Sequence, residues 1–345
     1  AVMRGLEWLA SCQRADGSWA LDGSVGDGGT NGEAQKGPAA NPVGATALAL
    51  LPFLSEGITH VRVPAGQEGE LAPYQSVVER GLFFLGTLQQ QGGANGELPG
   101  GMYAHALATI VFCEAYGISA DERLRLNAQF AVKYLLNAQH IGGGWRYGPN
   151  QPGDMSVTGW VFLAIRSAQL TGIPISEDAL RRAEQFIDTC AVGPAEAIGS
   201  RYTYAPRTAE RPEKRSLTAA GLLTREYLGW KQDEENLTAG AVYLMKNQPP
   251  ERAASLGDMY YYYYATQVLH HLEGDNFDLW NYRMRQHLLD TQERDGELAG
   301  SWSPAGVPHG DRGGRMYATS LALLTLQVYY RHLPMYRPIK FGGRK

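Results

Sequence analysis

Hydrophobic and polar positions along this chain follow two different helical patterns, which alternate from one segment to the next. The stretch Phe130–Gly172 shows both. Its first half places Phe130 and Tyr134 on one face, which is the spacing of an amphipathic helix. Its second half is apolar on nearly every side, as in a helix that is buried on most faces. Because Gly142–Gly144 ends the first pattern, the stretch predicts an amphipathic outer helix joined by a loop to a buried inner helix.

This helix–loop–helix unit recurs six times. The outer helices are predicted to end at Gln13, Gln89, Gln139, Cys190, Gln248 and Gln292. The inner helices are predicted over Asn41–Leu54, Gly100–Gly117, Gly153–Ala168, Lys214–Trp230, Gly257–Gly274 and Arg315–Leu333. A single hairpin cannot bury its apolar face, so neighbouring hairpins must stack. Six pairs with such apolar inner helices predict an all-α fold, an α/α toroid or (α/α)6 barrel closed on itself.

Composition adds limits to this picture. No shift in composition separates the units, which predicts one domain over residues 1–334 followed by a basic tail over residues 335–345. The polar insertions Asp22–Ala40 and Glu56–Pro73 are predicted to be loops. A net charge of −4 with scattered Lys and Arg argues against a nucleic-acid partner, and no apolar run reaches the length of a transmembrane segment. The compartment and the oligomeric state stay open.

Several helix ends share a pairing of glutamine with tryptophan. Arg4–Leu9, Gln13 and Asp16–Trp19 resemble the QW motif of the triterpene cyclases, and Gln139 with Trp145 and Gln292 with Trp302 are looser copies. In such a pair we expect the Gln amide to close the outer helix and the indole to stack on it. The stretches that extend the likeness are Met102–His105, Gly153–Trp160, Tyr261–Gln267 and Val328–Arg331.

The chain therefore resembles the terpenoid cyclase and protein prenyltransferase superfamily, and within it squalene–hopene-cyclase-like proteins. The resemblance implies a toroid whose central cavity holds an apolar, isoprenoid-like small molecule. An enzyme of this kind would be a terpenoid cyclase-like or lyase-like enzyme.

Two departures separate the chain from the chemistry of that superfamily. The cyclases protonate an alkene with an Asp-x-Asp-Asp acid, but only Asp154 matches that pattern here. The prenyltransferases hold zinc with Asp-x-Cys and a His, but Asp258 is followed by Met259 and Tyr260, and no His accompanies Tyr317. The sequence therefore predicts no metal site and no cofactor. Catalysis does not follow from the resemblance.

Candidate chemistry gathers where the inner helices begin, because their dipoles would point positive ends at one mouth of the barrel. The catalytic candidates are Asp154, Asp258 and His105. Each has a structural alternative: the two aspartates begin helices and would serve as N-caps, and His105 lies among apolar residues as a core histidine would. The ligand-binding candidates are Tyr103, Trp160, Arg215, Tyr260, Tyr261, Arg315 and Tyr317.

Five consecutive tyrosines, Tyr260–Tyr264, cover every face of one helix. About three of them should be ordinary core residues with a bonded hydroxyl, and the others could line a cavity. Two functions remain open on this basis. The first is a toroid that binds an isoprenoid-like ligand in its cavity. The alternative is a carbohydrate-active protein or a non-catalytic binding module that takes a glycan at a mouth lined by Tyr, Asp and Arg.

Overall fold

A computed structural model describes residues 1–21, 24–25, 29–30, 41–61, 69, 71–92, 95–206, 212–250 and 255–329. The predicted tail over residues 335–345 lies outside these residues, and so do most of the predicted loop Asp22–Ala40 and part of the predicted loop Glu56–Pro73.

Twelve α-helices in the described part of the chain alternate between an outer and an inner layer. The outer helices are α1 (Val2–Ser11), α3 (Gln75–Gln91), α5 (Glu122–Asn137), α7 (Glu177–Cys190), α9 (Glu235–Met245) and α11 (Gly274–Thr291). The inner helices are α2 (Pro42–Ser55), α4 (Gly101–Ser119), α6 (Met155–Leu170), α8 (Arg215–Tyr227), α10 (Met259–Leu272) and α12 (Gly310–Leu326).

The inner helices form a closed ring. Each packs against the next along the chain, and α12 packs against α2, while α1 packs against both α12 and α2. In α2 every residue from Val43 to Ser55 is buried, as the apolar pattern on all its faces requires. The predicted all-α toroid is therefore confirmed: two layers of six helices bury one another's apolar faces.

Several boundaries differ from the prediction. The inner helix α10, predicted to reach Gly274, ends at Leu272. Glu273 and Gly274 adopt positive φ values of 57° and 74° and reverse the chain there, so that α11 begins at Gly274. Helix α12 ends at Leu326 and is broken near its start by Gly314, at φ 66°. Short two-stranded ladders lie in loops: β1 (Ser24–Val25) with β2 (Gly29–Thr30), and β3 (Ala191–Val192) with β4 (Arg201–Tyr202).

Four glutamines each tie their own repeat to the next one around the ring. Their side-chain nitrogens donate both to a loop glycine carbonyl in their own repeat and to a backbone carbonyl near the start of the next outer helix. The sets, in the order glutamine, glycine and next helix, are Gln13, Gly17 and Val77; Gln89, Gly96 and Asn127; Gln139, Gly143 and Ala179; and Gln292, Gly300 and Ala1. We call this arrangement the clasp. The last clasp joins the final repeat to the first and so closes the ring.

Three of the four clasps also contain a tryptophan. The indole N–H of Trp19, Trp145 and Trp302 donates to the carbonyl of Leu9, Leu135 and Leu288 respectively, at 2.7–2.8 Å. Their backbone N–H groups donate to the hydroxyls of Thr46, Thr158 and Thr319 on the inner helices. The indole thus hydrogen-bonds to the outer helix, where stacking alone was expected, and each tryptophan connects both layers.

Replacing the clasp glycine Gly143 by alanine should lower the free energy of unfolding by at least about 2 kcal/mol. Gly143 has a φ of 93°, and an added Cβ would lie 1.8 Å from the backbone carbonyl oxygen of Arg182, which belongs to α7 and cannot rotate away. Gly172 is the matched control, because its φ is 74° but an added Cβ would meet no atom within 4 Å. Urea denaturation should show a much smaller loss for Gly172→Ala. Equal losses would mean that close packing at the clasp does not matter.

Candidate functional site

The inner helices α4, α6, α8 and α10 begin at one end of the barrel, which we call the mouth. Asp154 is the N-cap of α6 and is fully buried. Its Oδ1 accepts hydrogen bonds from the backbone N–H groups of Ser156 and Val157, at 2.9 and 3.0 Å, and from the Ser156 hydroxyl at 2.6 Å. Its Oδ2 is buried and has no hydrogen-bond partner among the described residues. The aspartate therefore caps the helix with one oxygen, and its carboxylate also interacts with the Tyr204 hydroxyl.

Two tyrosines from other helices converge on Ser156. The Tyr103 hydroxyl, on α4, donates to Ser156 Oγ at 2.6 Å. The Tyr260 hydroxyl, on α10, donates to the Ser156 carbonyl at 3.0 Å. Burial raises the pKa of Tyr103, and the nearby Asp154 carboxylate raises it further, so this phenol stays protonated and donates. Three inner helices thus place hydroxyls around the start of α6.

Two loops add aromatic residues to the mouth. The hydroxyls of Tyr147 and Tyr204, from the loops before α6 and α8, lie 2.9 Å apart. The Arg146 guanidinium carbon lies 5.7 Å from the Tyr147 ring centroid and 5.8 Å from that of Tyr204, and the Tyr103 and Tyr147 rings are 6.0 Å apart. Tyr147 is 51% exposed, so a ligand can reach its ring.

Sequence reasoning did not select Arg146, Tyr147 or Tyr204 as site residues, although a signal for the tyrosines exists. Each tyrosine lies two residues after a residue whose backbone N–H donates to a threonine hydroxyl on an inner helix. For Tyr147 that residue is Trp145, which donates to Thr158. For Tyr204 it is Tyr202, which donates to Thr218. The carbonyls of these tyrosines also accept from Met102 and Met155 at the starts of α4 and α6. Equivalent positions in two repeats therefore present a tyrosine at the mouth.

Aromatic side chains fill the barrel axis below the mouth. The ring of Trp160, on α6, stacks on Tyr263 at 5.7 Å and meets Tyr264 and Tyr260 edge-on at 5.7 and 6.3 Å. Helices α6 and α10 are not neighbours in the ring, so these contacts cross the axis. We call Trp160, Tyr260, Tyr263 and Tyr264 the axial aromatic cluster. Trp160 lies six residues beyond Asp154, about 9 Å along the helix, which sets the depth of the mouth.

Asp258 begins α10 as Asp154 begins α6, but its second oxygen is paired. Its Oδ1 accepts from the Tyr261 N–H at 3.0 Å, and its Oδ2 lies 3.8 Å from Arg215 Nε. Burial raises the pKa of Asp258, while the bond from Tyr261 and the Arg215 charge act in the opposite direction. Burial, together with the nearby Asp258, raises the pKa of Tyr317. Asp258, Arg215 and Tyr317 therefore form a second polar group at the rim.

Three predicted site residues bond away from the mouth. The Tyr261 hydroxyl donates to the Leu244 carbonyl at 2.6 Å, and Arg315 Nη1 donates to Ser301 Oγ at 3.1 Å. His105 accepts the Leu98 N–H on Nδ1 at 3.1 Å, and its Nε2 lies 2.9 Å from the Ala131 carbonyl oxygen, to which it donates. By accepting the Leu98 N–H, His105 takes the role of the threonine hydroxyls that accept a loop N–H in other repeats, namely Thr46, Thr158, Thr218 and Thr319. Burial lowers its pKa to about 4.

Within the described residues, no group of three His, Cys, Asp or Glu side chains could hold a metal ion. None of the described helices combines the length and apolar composition needed to cross a bilayer.

Comparison with known proteins identifies the fold class. No family model matches the chain, and no curated protein is similar to it in sequence. Among solved structures, the chain is similar to an α-1,6-mannanase from Salegentibacter sp. HEL1_6 in complex with α-1,6-mannotriose, with a TM-score of 0.61, 10% identity, and coverage of 95% of this chain and 98% of that one. It is also similar to a type II terpene cyclase from Scytonema in complex with geranylgeranyl dihydroxybenzoate, with a TM-score of 0.56, 12% identity, and coverage of 97% and 96%.

An α-amylase from Clostridium perfringens is a further structural relative, with a TM-score of 0.58, 11% identity, and coverage of 95% and 97%. Identities this low establish a shared toroid fold and no activity. The terpenoid cyclase superfamily is thus one of the groups that share this fold, alongside carbohydrate-active enzymes.

Proposed function

We propose that the mouth of this toroid binds a saccharide. The single observation that carries this proposal is the axial aromatic cluster, which crosses the barrel axis and gives the mouth a floor. Above that floor stand tyrosine rings, phenol hydroxyls and a carboxylate. Aromatic faces with hydrogen-bonding groups beside them suit a sugar ring, whose C–H face is apolar and whose edge carries hydroxyls. The mannotriose complex of a structural relative supports the proposal at the level of the fold.

The isoprenoid ligand suggested by the sequence resemblance is the weaker candidate. A long apolar chain in the barrel would have to displace Trp160 and Tyr263, which are 3% and 1% exposed and stack on each other. Each large aromatic side chain contributes several kcal/mol to a packed core, of the order of 3–5 kcal/mol by truncation, so this displacement would be costly. A terpene cyclase shares the fold, and polyprenyl compounds therefore belong in the same experiment.

Binding is the proposed activity, and hydrolysis is an outcome to be tested. Glycoside hydrolysis usually needs two carboxyl groups flanking the scissile bond. Asp154 and Asp258 are the aspartates that cap inner helices at the mouth, and Asp258 is paired with Arg215. The proposal therefore assigns recognition to the tyrosines and Asp154.

Removing the ring of Tyr147, which is exposed, or of Tyr204, which is half-buried, should weaken saccharide binding at least about 10-fold, since aromatic contacts of this kind contribute of the order of 1 kcal/mol or more. A glycan array on the wild-type protein would identify a ligand, and calorimetric titration would compare wild type with Tyr147→Ala and Tyr204→Ala. Tyr282→Ala is the matched control, because Tyr282 is 66% exposed on the outer helix α11.

Unchanged affinity in both mouth variants would contradict the assignment of the saccharide site to the mouth. Binding of polyprenyl compounds and of no glycan by the wild type would favour the isoprenoid reading instead. Reducing-end assays on the bound glycan would show whether the protein also cleaves it.

A further inference from the structure

A chain of hydroxyl groups runs from the surface of the mouth to the buried Asp154 carboxylate. Tyr147 is 51% exposed, and its hydroxyl lies 2.9 Å from that of Tyr204, which is half-buried. The Tyr204 hydroxyl in turn interacts with the Asp154 carboxylate. Asp154 itself is fully buried, so a ligand at the mouth meets Tyr147 and does not need to reach the carboxylate. The two tyrosines therefore link the surface to a buried charge.

The carboxylate sets the direction of the hydrogen bonds in this chain. An ionised carboxylate only accepts, and Asp154 Oδ1 accepts three hydrogen bonds from Ser156 and Val157. Its negative charge turns the single O–H of Tyr204 towards Asp154, because hydroxyl dipoles orient in the local field. The lone pairs of the Tyr204 oxygen then face Tyr147, so Tyr147 is the donor in the bond between the two phenols. Because its one proton is used there, Tyr147 can only accept from a ligand.

Two other phenols at the mouth also use their protons inside the protein. Tyr103 donates to Ser156 Oγ at 2.6 Å, and the Ser156 hydroxyl donates to Asp154 Oδ1 at 2.6 Å. Tyr260 donates to the Ser156 carbonyl at 3.0 Å. Burial, together with the Asp154 charge, raises the pKa of both tyrosines, so they keep the protons that they donate. These phenols, like Tyr147 and Tyr204, therefore offer oxygen lone pairs to a ligand and no O–H.

We propose that Asp154 is a positioning residue that acts through Tyr204: it holds Tyr147 as a hydrogen-bond acceptor, so that the mouth selects a sugar that donates a free hydroxyl to the Tyr147 oxygen. This inference rests on the proposed saccharide site. A hydroxyl that is replaced by hydrogen or by fluorine has no proton to donate, so either change loses this bond. Fluorine is the more informative replacement, because it carries lone pairs and would still suit a site that donates.

Monodeoxy and monodeoxyfluoro analogues of the best-binding neutral oligosaccharide on the glycan array test this direction on the wild-type protein, where no folding defect can confound it. At one sugar position, both analogues should bind at least about 5-fold more weakly than the parent, the size expected for one lost hydrogen bond. In Tyr147→Phe, which lacks the accepting oxygen but keeps the ring, the parent and the fluoro analogue should bind within about 2-fold of each other. Tyr282→Phe, on the outer helix α11, is the matched control and should retain the wild-type preference.

Asp154→Asn tests the role of the buried carboxylate. Asparagine is as good an N-cap as aspartate, so α6 keeps its cap, but the side-chain amide can donate to Tyr204. Tyr204 can then donate to Tyr147, and the Tyr147 O–H becomes free for a ligand. The preference for the parent over the fluoro analogue should therefore fall at least about 3-fold, whereas a purely structural role of Asp154 would weaken both ligands equally. Asp121→Asn alters the cap of α5, outside the mouth, and should leave the preference unchanged.

The proposal is overturned if no sugar position shows the loss in the wild type, if the fluoro analogue binds as well as the parent where the deoxy analogue does not, or if Asp154→Asn keeps the full preference. Those results would leave the saccharide site intact as long as binding still depended on the Tyr147 ring, which Tyr147→Ala removes. Absence of any glycan binding by the wild type would overturn the proposed function and this inference together.

Discussion

Replacing Trp302 by alanine should lower the free energy of unfolding by about 3–5 kcal/mol, the range for truncating a large buried aromatic. The side chain is fully buried, its indole N–H donates to the Leu288 carbonyl at 2.8 Å, and its backbone N–H donates to Thr319. The residue belongs to the clasp in which Gln292 bonds to the Ala1 carbonyl. The variant should therefore loosen the contact between the last repeat and the first. Urea denaturation followed by circular dichroism measures the loss.

Two phenylalanine variants separate the hydrogen bond from the packing. Trp302→Phe loses indole volume and the bond to Leu288, whereas Trp8→Phe loses similar volume at a residue that is 4% exposed. The Trp8 indole N–H has no hydrogen-bond partner among the described residues. Trp302→Phe should therefore cost about 1 kcal/mol more than Trp8→Phe. A loss below about 1 kcal/mol in Trp302→Ala would contradict the role of the clasp in closing the ring.

Acidification should destabilise the protein through His105. Burial lowers the pKa of this histidine to about 4 in the folded state, against about 6.5 in an unfolded chain. The unfolded state therefore binds a proton first as the pH falls, and stability present above pH 6.5 is lost on the way to pH 4. Each pKa unit corresponds to about 1.4 kcal/mol, so the loss from this group is about 3 kcal/mol.

The measurement is the free energy of unfolding of wild type and His105→Asn between pH 7 and pH 4. The variant should be less stable at pH 7, because the bond to Ala131 is lost, but its stability should fall less steeply with acid. Carboxylates common to both proteins titrate alike, and they cancel in the difference between the two profiles. Parallel profiles would show that the buried histidine does not govern this pH dependence.

Much of the fold could be predicted from local patterns. Apolar residues on every face of the second helix in each repeat required that helix to be buried, and six such repeats required a double layer. Glycine at Gly142–Gly144 and aspartate at Asp154 mark helix ends for reasons confined to a few residues. The N-cap alternatives for Asp154 and Asp258 were predicted for this reason, and both side chains accept backbone N–H bonds at the start of a helix.

The sequence by itself determined which segments are helices, which of them are inner, and that Asp154 and Asp258 cap two of them, because these properties depend on spacing of a few residues along one chain. Only the tertiary structure decided that α12 meets α2, that Tyr261 bonds outward while Tyr263 crosses the axis to Trp160, and that His105 is fully bonded. It also joined Tyr147 to Tyr204 and placed the Tyr204 hydroxyl beside the Asp154 carboxylate. Those outcomes depend on neighbours more than 40 residues away or on other helices, and no local pattern encodes such distances.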